Sequence, residues 1–356
     1  MGDHRFFTFG KGKISHLASA SDAVASLRHE DYAWFDFYNP KREELGALVE
    51  PLGLSPYSIE DALDEDQIPK IEDFPGYTFM LMNGYRYEKK ELTVQEFDFF
   101  LGKNFLVTVH GGDGVRAFGA KLDEQIVSDY ANVKRGPDFL CHMLLDYIVD
   151  HKFAVIESLQ EELDLAEESI VESILKFKPE ELLRLRRRLL VVRKSLVHER
   201  EVLVKICRKD SPYISEKGIY NYRDIYDHLV RFFESTEICR EMISNLMEMY
   251  LSMLNNRMTL VSNQTNIAVK RLTLITTIFM PLTLLAGVFG MSEWSMMTGG
   301  GEHWRVTYPV FFLLMAVIAA GNFYLLKWLD RRRLSQAELV GEPEESPLSR
   351  ESSGGA

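Results

Sequence analysis

Hydrophobic and polar positions along the chain fall into three successive patterns. Up to about residue 130 the apolar residues come in short runs. Arg5 to Phe9 and Ala33 to Tyr38 are aromatic-rich strand candidates, Lys41 to Leu52 and Ser55 to Leu63 have helical spacing, and Tyr77 to Tyr87, Leu92 to Leu101 and Asn104 to His110 are strand-like runs separated by polar or turn-forming residues. Residues 1–130 are therefore expected to form an α/β domain, a sheet with helices packed on it, in which the short strand-to-strand connections favour antiparallel neighbours. From Pro137 the spacing becomes helical. Asp150 to Glu172 is strongly acidic, Pro179 interrupts it, and Glu180 to Lys209 is rich in arginine and lysine. An antiparallel helical hairpin over 137–210 would lay these opposite charges side by side.

The third pattern begins after the breaks at Ser211-Pro212 and Lys217-Gly218. From Tyr220 no proline occurs until Pro281, some sixty residues, which as one helix would be about 90 Å long at 1.5 Å per residue. Residues 218–291 thus read as a long stalk helix continuing into a first membrane span. Leu272 to Met291 is an uncharged apolar run of 20 residues, enough to cross a bilayer core. Asn266, Thr273, Met280 and Gly287 recur every seven residues, and Val269, Thr276, Thr283 and Gly290 recur three further on. Small, polar and flexible side chains thus form one stripe, which fits either a helix-packing seam or the lining of a pore. A second span is expected over 306–329. It lacks the stripe and reads as lipid-facing. Lys270 and Arg271 precede the first span, and Lys327 with Arg331, Arg332 and Arg333 closes the second. The positive-inside rule then places both termini in the cytoplasm and makes 292–305 the external loop. After a basic stop, the rest of 330–356 has the composition of a disordered segment from Leu334 onward.

Composition narrows the function. The mean hydropathy of -0.12 is too low for a polytopic membrane protein, and Met1 to Val269 has neither a spanning run nor the apolar core of a secretory signal, so this part is expected in the cytoplasm. A net charge of -12 argues against nucleic-acid partners, which need a basic face. Cys141, Cys207 and Cys239 are too scattered for a disulfide framework or a metal clip. Between Glu60 and Asp73 stand Glu60, Asp61, Asp64, Glu65, Asp66, Glu72 and Asp73, either a solvated acidic loop or a divalent-cation site. The glycine-rich His110 to Ala117 segment, with Gly112, Gly114 and Ala117, reads as a turn, because a dinucleotide fingerprint requires a parallel βαβ unit there. His198-Glu199 begins a zincin-like motif, but Val202 stands where the second ligand must be. No Walker loop or GxSxG motif is present, so the sequence gives no basis for an enzyme.

Two spans cannot enclose a pore, so conduction demands a homo-oligomer. The stretch Ser262 to Met291, and more loosely Pro69 to Phe79 and Tyr222 to Leu229, resembles the CorA family of magnesium and other divalent-cation channels, as does the order of segments. The resemblance implies a funnel-shaped homopentamer in the inner (plasma) membrane, whose partners are copies of itself, the bilayer and divalent cations, with no other cofactor. It implies Asn266 as a polar ring at the cytoplasmic mouth, Val269 and Leu272 at a hydrophobic gate, and Met280, Thr283 and Gly290 along the conduit, with Thr273, Thr276 and Gly287 on the same stripe. Asp61 and Asp224 match positions that bind regulatory divalent ions between neighbouring subunits, and Glu248 an acidic stalk position. The family's Gly-Met-Asn signature is here Gly290, Met291 and Ser292. Serine is shorter than asparagine and has fewer hydrogen-bonding groups, so Mg2+ remains the expected cargo with Zn2+, Co2+ or Ni2+ as alternatives, alongside a non-conducting metal sensor. Glu293 and Glu302 of the external loop would attract cations.

Overall fold

The computed structural model describes residues 4–10, 13–29, 31–64, 67–111, 120–290 and 304–340. The chain divides into two compact units, Met1–Met253 and Leu254–Ala356. The first unit holds a seven-stranded sheet made of β1 (Arg5–Gly10), β2 (Lys13–Leu17), β3 (Tyr32–Tyr38), β4 (Lys70–Phe74), β5 (Tyr77–Glu88), β6 (Glu91–Gly102) and β7 (Phe105–His110), in the order β2-β1-β3-β7-β6-β5-β4. Every neighbouring pair is antiparallel except β3 and β7. The β5-β6-β7 meander is thus antiparallel, as its short connections predict.

Side-chain alternation along the strands separates two cores. Tyr32 and Trp34 of β3 and Phe97 and Phe99 of β6 face one; Ala33, Phe35, Phe37 and Phe100 face the other. The second face is covered by four short helices, α1 (Ala20–Ser26), α2 (Arg42–Gly46), α3 (Val49–Leu52) and α4 (Pro56–Asp61). The expected helix over Lys41 to Leu52 is two pieces, α2 and α3, and Gly53 at φ 69° ends the second in the left-handed conformation. Strands β2 and β4 lie at the sheet edges and were not expected. Each is five residues long and has no fully buried residue, and shortness with exposed polar side chains is how edge strands avoid pairing with other chains.

On the first face lie α5 (Ala120–Ser128), α6 (Tyr130–Val133), α7 (Pro137–Glu172), α8 (Glu180–Cys207) and the start of α9 (Ile219–Phe289). Pro179 is the N-cap of α8, and α7 has already ended at Glu172. Ser215 N and Oγ donate to Asp138 Oδ2 at 3.0 and 2.6 Å, and Tyr222 Oη donates to the Asp138 carbonyl at 2.8 Å, so the start of α9 is tied to the start of α7. Ile219, Tyr222, Ile225, Leu229, Phe232, Thr236, Cys239, Ile243 and Leu246 are buried at helical spacing along α9.

Helix α9 continues for 71 residues through Pro281. Proline removes one N–H and frees the carbonyl four residues back without ending the helix. The last helix, α10 (Trp304–Val340), runs past the predicted span end at Leu329 and into the tail expected to be disordered from Leu334. That tail opens with SQAELV, a stretch of good helix formers that extends a helix already nucleated.

Candidate cation pathway and acidic sites

Within the second unit, α9 and α10 each have a segment long and apolar enough to span a bilayer, and neither window contains a buried residue. Each has one half-buried edge. On α9 this comprises Leu274, Thr277, Ile278, Pro281, Leu282, Leu285 and Phe289, and on α10 Phe311, Met315, Ile318, Ala319, Asn322 and Leu326. Both sets have the i, i+4, i+7, i+8 spacing of a helix-packing face, and the rings of Phe289 and Phe311 meet at 4.8 Å. The second span is therefore not lipid-facing all round.

The polar stripe occupies the opposite side of α9. Asn266, Val269, Leu272, Thr273, Thr276, Met280, Thr283, Gly287 and Gly290 are all exposed, Leu272 at 65% and Met280 at 71%. At about 100° per residue they form one face turned away from the Leu274 to Phe289 edge. Thr276 Oγ1 donates to the Leu272 carbonyl at 2.9 Å and Thr283 Oγ1 to the Phe279 carbonyl at 2.9 Å. With the hydroxyl hydrogens spent on the helix itself, the oxygen lone pairs are left to accept from water. A Cβ built on Gly287 meets nothing within 4 Å. Met291, Ser292, Glu293 and Glu302 lie outside the described residues.

Asp61 sits at the end of α4. That helix is fixed to the sheet through Tyr77, whose hydroxyl accepts from Ser55 N at 3.0 Å and lies 2.6 Å from Ser58 Oγ. Within the chain the Asp61 carboxylate is already engaged. Lys70 Nζ is 2.6 Å from Oδ2, and Gln67 Nε2 donates to Oδ1 at 3.2 Å. Burial opposes the charge on Lys70, but the hydrogen bond and attraction of Asp61, aided by Glu72, outweigh it and hold the ammonium above the ordinary lysine range.

Asp224 is on the exposed side of α9, its side chain 70% accessible, with Oδ2 3.8 Å from His228 Nε2. Sequence reasoning missed its neighbours on α7. Asp146 is pushed above the usual carboxylate range by burial first, then by repulsion from Asp150 and from Asp224, with His228 opposing. Asp146 and Asp150 are four residues apart and share a helix face, a spacing visible in the sequence once the segment from Pro137 is read as a helix, whereas their nearness to Asp224 is not. Glu248 is exposed further along α9. Asp61 and Asp224 do not meet within one chain, and among the described residues no three His, Cys, Asp or Glu side chains converge as a metal-binding group.

The other sequence features are absorbed into structure. Gly112, Gly114 and Ala117 lie outside the described residues, while His110, just before them, pairs its Nε2 with Asp36 Oδ1 at 2.9 Å. Glu199 of the zincin-like dipeptide is buried against Lys152 of α7. Charge pairing between α7 and α8 is narrower than the blocks of opposite sign predict. Glu162 pairs with Arg188 at 2.7 Å, but Arg193 reaches Glu237 of α9 and Lys205 reaches Asp73 of β4. The hairpin packs through its apolar faces, so most of its charges point to solvent or to other elements.

Known proteins share this arrangement. The sequence profile of the family described as CorA-like Mg2+ transporter protein matches residues 29–331. The cobalt/magnesium transport protein CorA of Thermotoga maritima is 33% identical over 303 residues, covering 83% of each chain. The protein of the same name from Methanocaldococcus jannaschii is 29% identical over 289 residues, covering 78% of this chain and 88% of its own. The complete structure of the CorA magnesium transporter from Methanocaldococcus jannaschii superposes with a TM-score of 0.69 at 25% identity, over 90% of this chain and 96% of that one. The α/β domain, the long helix and the two apolar C-terminal helices are those of a divalent-cation transporter, and the chain belongs to the CorA-like Mg2+ transporter family.

Proposed function

We propose that the chain assembles as a homopentamer in the inner membrane, with both termini cytoplasmic, and passes Mg2+ down its electrochemical gradient. The observation that carries this reading is the two-sided character of α9. Its apolar edge packs on α10 while its Asn, Thr, Met and Gly face is free. Lipid is a poor partner for that face, and five copies turned inward would enclose it. Threonine oxygens that accept from water suit an ion that keeps its hydration shell, as Mg2+ does. Val269 and Leu272 form an apolar constriction that closes by excluding water, and Ser292 forms the last ring at the outer mouth.

Closure is controlled by carboxylates. Asp224, flanked by the Asp146 and Asp150 pair, faces Asp61 or Glu248 of neighbouring subunits, and a divalent cation between them offsets their repulsion. When cytoplasmic Mg2+ falls, the ion leaves, repulsion separates the subunits and the pore opens. The test is uptake into liposomes carrying the purified full-length protein, with an inside-negative potential and a trapped Mg2+ indicator. Potential-driven Mg2+ entry that is absent from empty liposomes is expected. No Mg2+ entry at any external concentration would refute the proposal.

A further inference from the structure

Glu96 and Asp98 stand two residues apart on one face of β6, the face that also carries Phe100, and Asn83 of β5 is opposite Glu96 in the register. Over them lies a cavity of about 860 Å3, also lined by Asp64 and Gln67 from the segment between α4 and β4 and by Lys194 and His198 from α8. Asp98 is only 2% exposed, and its Oδ1 is buried without a hydrogen-bond partner. Among the described residues no basic side chain pairs with it. Burial raises its pKa well above the usual carboxylate value, Glu96 and Asp61 raise it further, and only Lys70 opposes. Lys70 is already committed to Asp61 at 2.6 Å and Glu72 at 3.6 Å.

An acid buried in a roomy cavity without a counter-charge is costly as a purely structural choice, since asparagine would fill the same volume at lower cost. Glu96 adds a second carboxyl on the same face. Its Oε2 accepts from Gln67 N at 3.1 Å, which ties the site to the loop that follows Asp61. Among the described residues no complete set of protein ligands converges here, so an ion held by them must retain most of its water. Mg2+ binds in that manner, through one or two carboxylates. Six waters occupy about 180 Å3 of liquid volume, well within the cavity.

We propose that Asp98 and Glu96 hold a hydrated divalent cation within a single subunit, at a site separate from the Asp61 and Asp224 faces. Its positive charge beside Lys70 loosens the hold of Lys70 on Asp61, so the occupancy of this cavity biases how readily Asp61 engages a neighbouring subunit.

The experiment counts Mn2+ bound per chain by electron paramagnetic resonance of the free ion, using the full-length protein in detergent and an Asp224→Ala parent. Relative to that parent, Asp98→Asn is expected to remove one Mn2+ per chain, and Glu96→Gln to weaken the same class by about tenfold or more. Mg2+ is expected to displace the ion. An unchanged count and affinity in both variants would overturn the proposal, as would bound Mn2+ that Mg2+ does not displace. Should Asp98→Asn fail to fold, as judged by elution volume and circular dichroism, Glu96→Gln decides alone. The Asp224 sites are scored separately, by comparing the parent with the unmodified protein.

Discussion

The buried pair of Lys152 on α7 and Glu199 on α8 permits a quantitative prediction. Both side chains are fully inaccessible. Glu199 Oε1 also accepts from Asn83 N at 3.0 Å and from Ser195 Oγ at 3.1 Å, and Lys152 Nζ lies 5.0 Å from the centre of the Tyr85 ring. The pair therefore joins α7, α8 and β5. Burial lowers the Lys152 pKa and the Glu199 carboxylate raises it again without fully restoring it. Lys152→Met keeps the apolar stem but leaves Glu199 as an uncompensated buried charge, a change that costs about 3–5 kcal/mol. The two hydrogen bonds to Glu199 remain, which favours the lower end of that range. Lys152→Met combined with Glu199→Gln removes both charges, and the loss is expected to shrink to about 1–2 kcal/mol. Denaturant unfolding of the full-length protein in detergent, followed by tryptophan fluorescence, gives the cycle. A single Lys152→Met cost below about 1 kcal/mol, or a double variant less stable than the single, would refute the assigned role of the pair.

Three further outcomes follow from other parts of the molecule. The β5-β6 hairpin turns through Lys89 at φ 51° and Lys90 at φ 65°. Lys90→Gly should therefore stabilise the protein by about 1 kcal/mol in the same unfolding assay, because the exposed Lys90 ammonium it deletes lies 3.5 Å from a Glu162 already paired with Arg188 and contributes less than the relieved backbone strain. Burial would raise the Asp36 pKa, but the hydrogen bond and charge of His110, the attraction of Arg5 and the Thr108 hydroxyl hold it below 3.8. Its stabilising contribution is thus complete above that pH and lost as pH falls through the lower folded-state value. Asp36→Asn should be less stable than the unmodified protein at pH 7, with the gap narrowing in acid titrations below about pH 4. Gly287→Leu has open space around its Cβ within the chain, so it should fold and assemble normally while abolishing Mg2+ flux by filling the pore. Unchanged flux would place Gly287 elsewhere.

Long, unbroken patterns were the most legible part of the sequence. The absence of any breaker between Tyr220 and Pro281 gave α9, and the apolar run from Leu272 gave its membrane part. The strands that emerged clearly from the sequence, β1, β3, β5, β6 and β7, are the inner strands of the sheet and rich in aromatic and β-branched residues. The edge strand β4, KIEDF, was hidden because its charges suit an exposed edge and resemble an acidic loop. Charge blocks on α7 and α8 gave the right pair of helices but few of their partners, because ion pairing depends on which faces the apolar residues have already turned inward. Asp98 was not singled out at all. A carboxylate between Phe97 and Phe99 reads as an ordinary polar step in an alternating strand, and only the fold reveals that it is buried with its Oδ1 unpartnered among the described residues. The stripe on α9 reads as seam or lining, and the α10 contact on the opposite side shows only that α10 of the same chain is not its partner.

That two-sidedness can be tested directly by thiol modification during Mg2+ flux. A small cationic methanethiosulfonate is applied to liposomes carrying Thr283→Cys or, as the opposite-face control, Leu282→Cys, with the unmodified protein establishing the contribution of Cys141, Cys207 and Cys239. Rapid loss of Mg2+ entry is expected for Thr283→Cys, slowed by saturating external Mg2+, and no loss for Leu282→Cys. Modification that blocks Leu282→Cys and spares Thr283→Cys would contradict it.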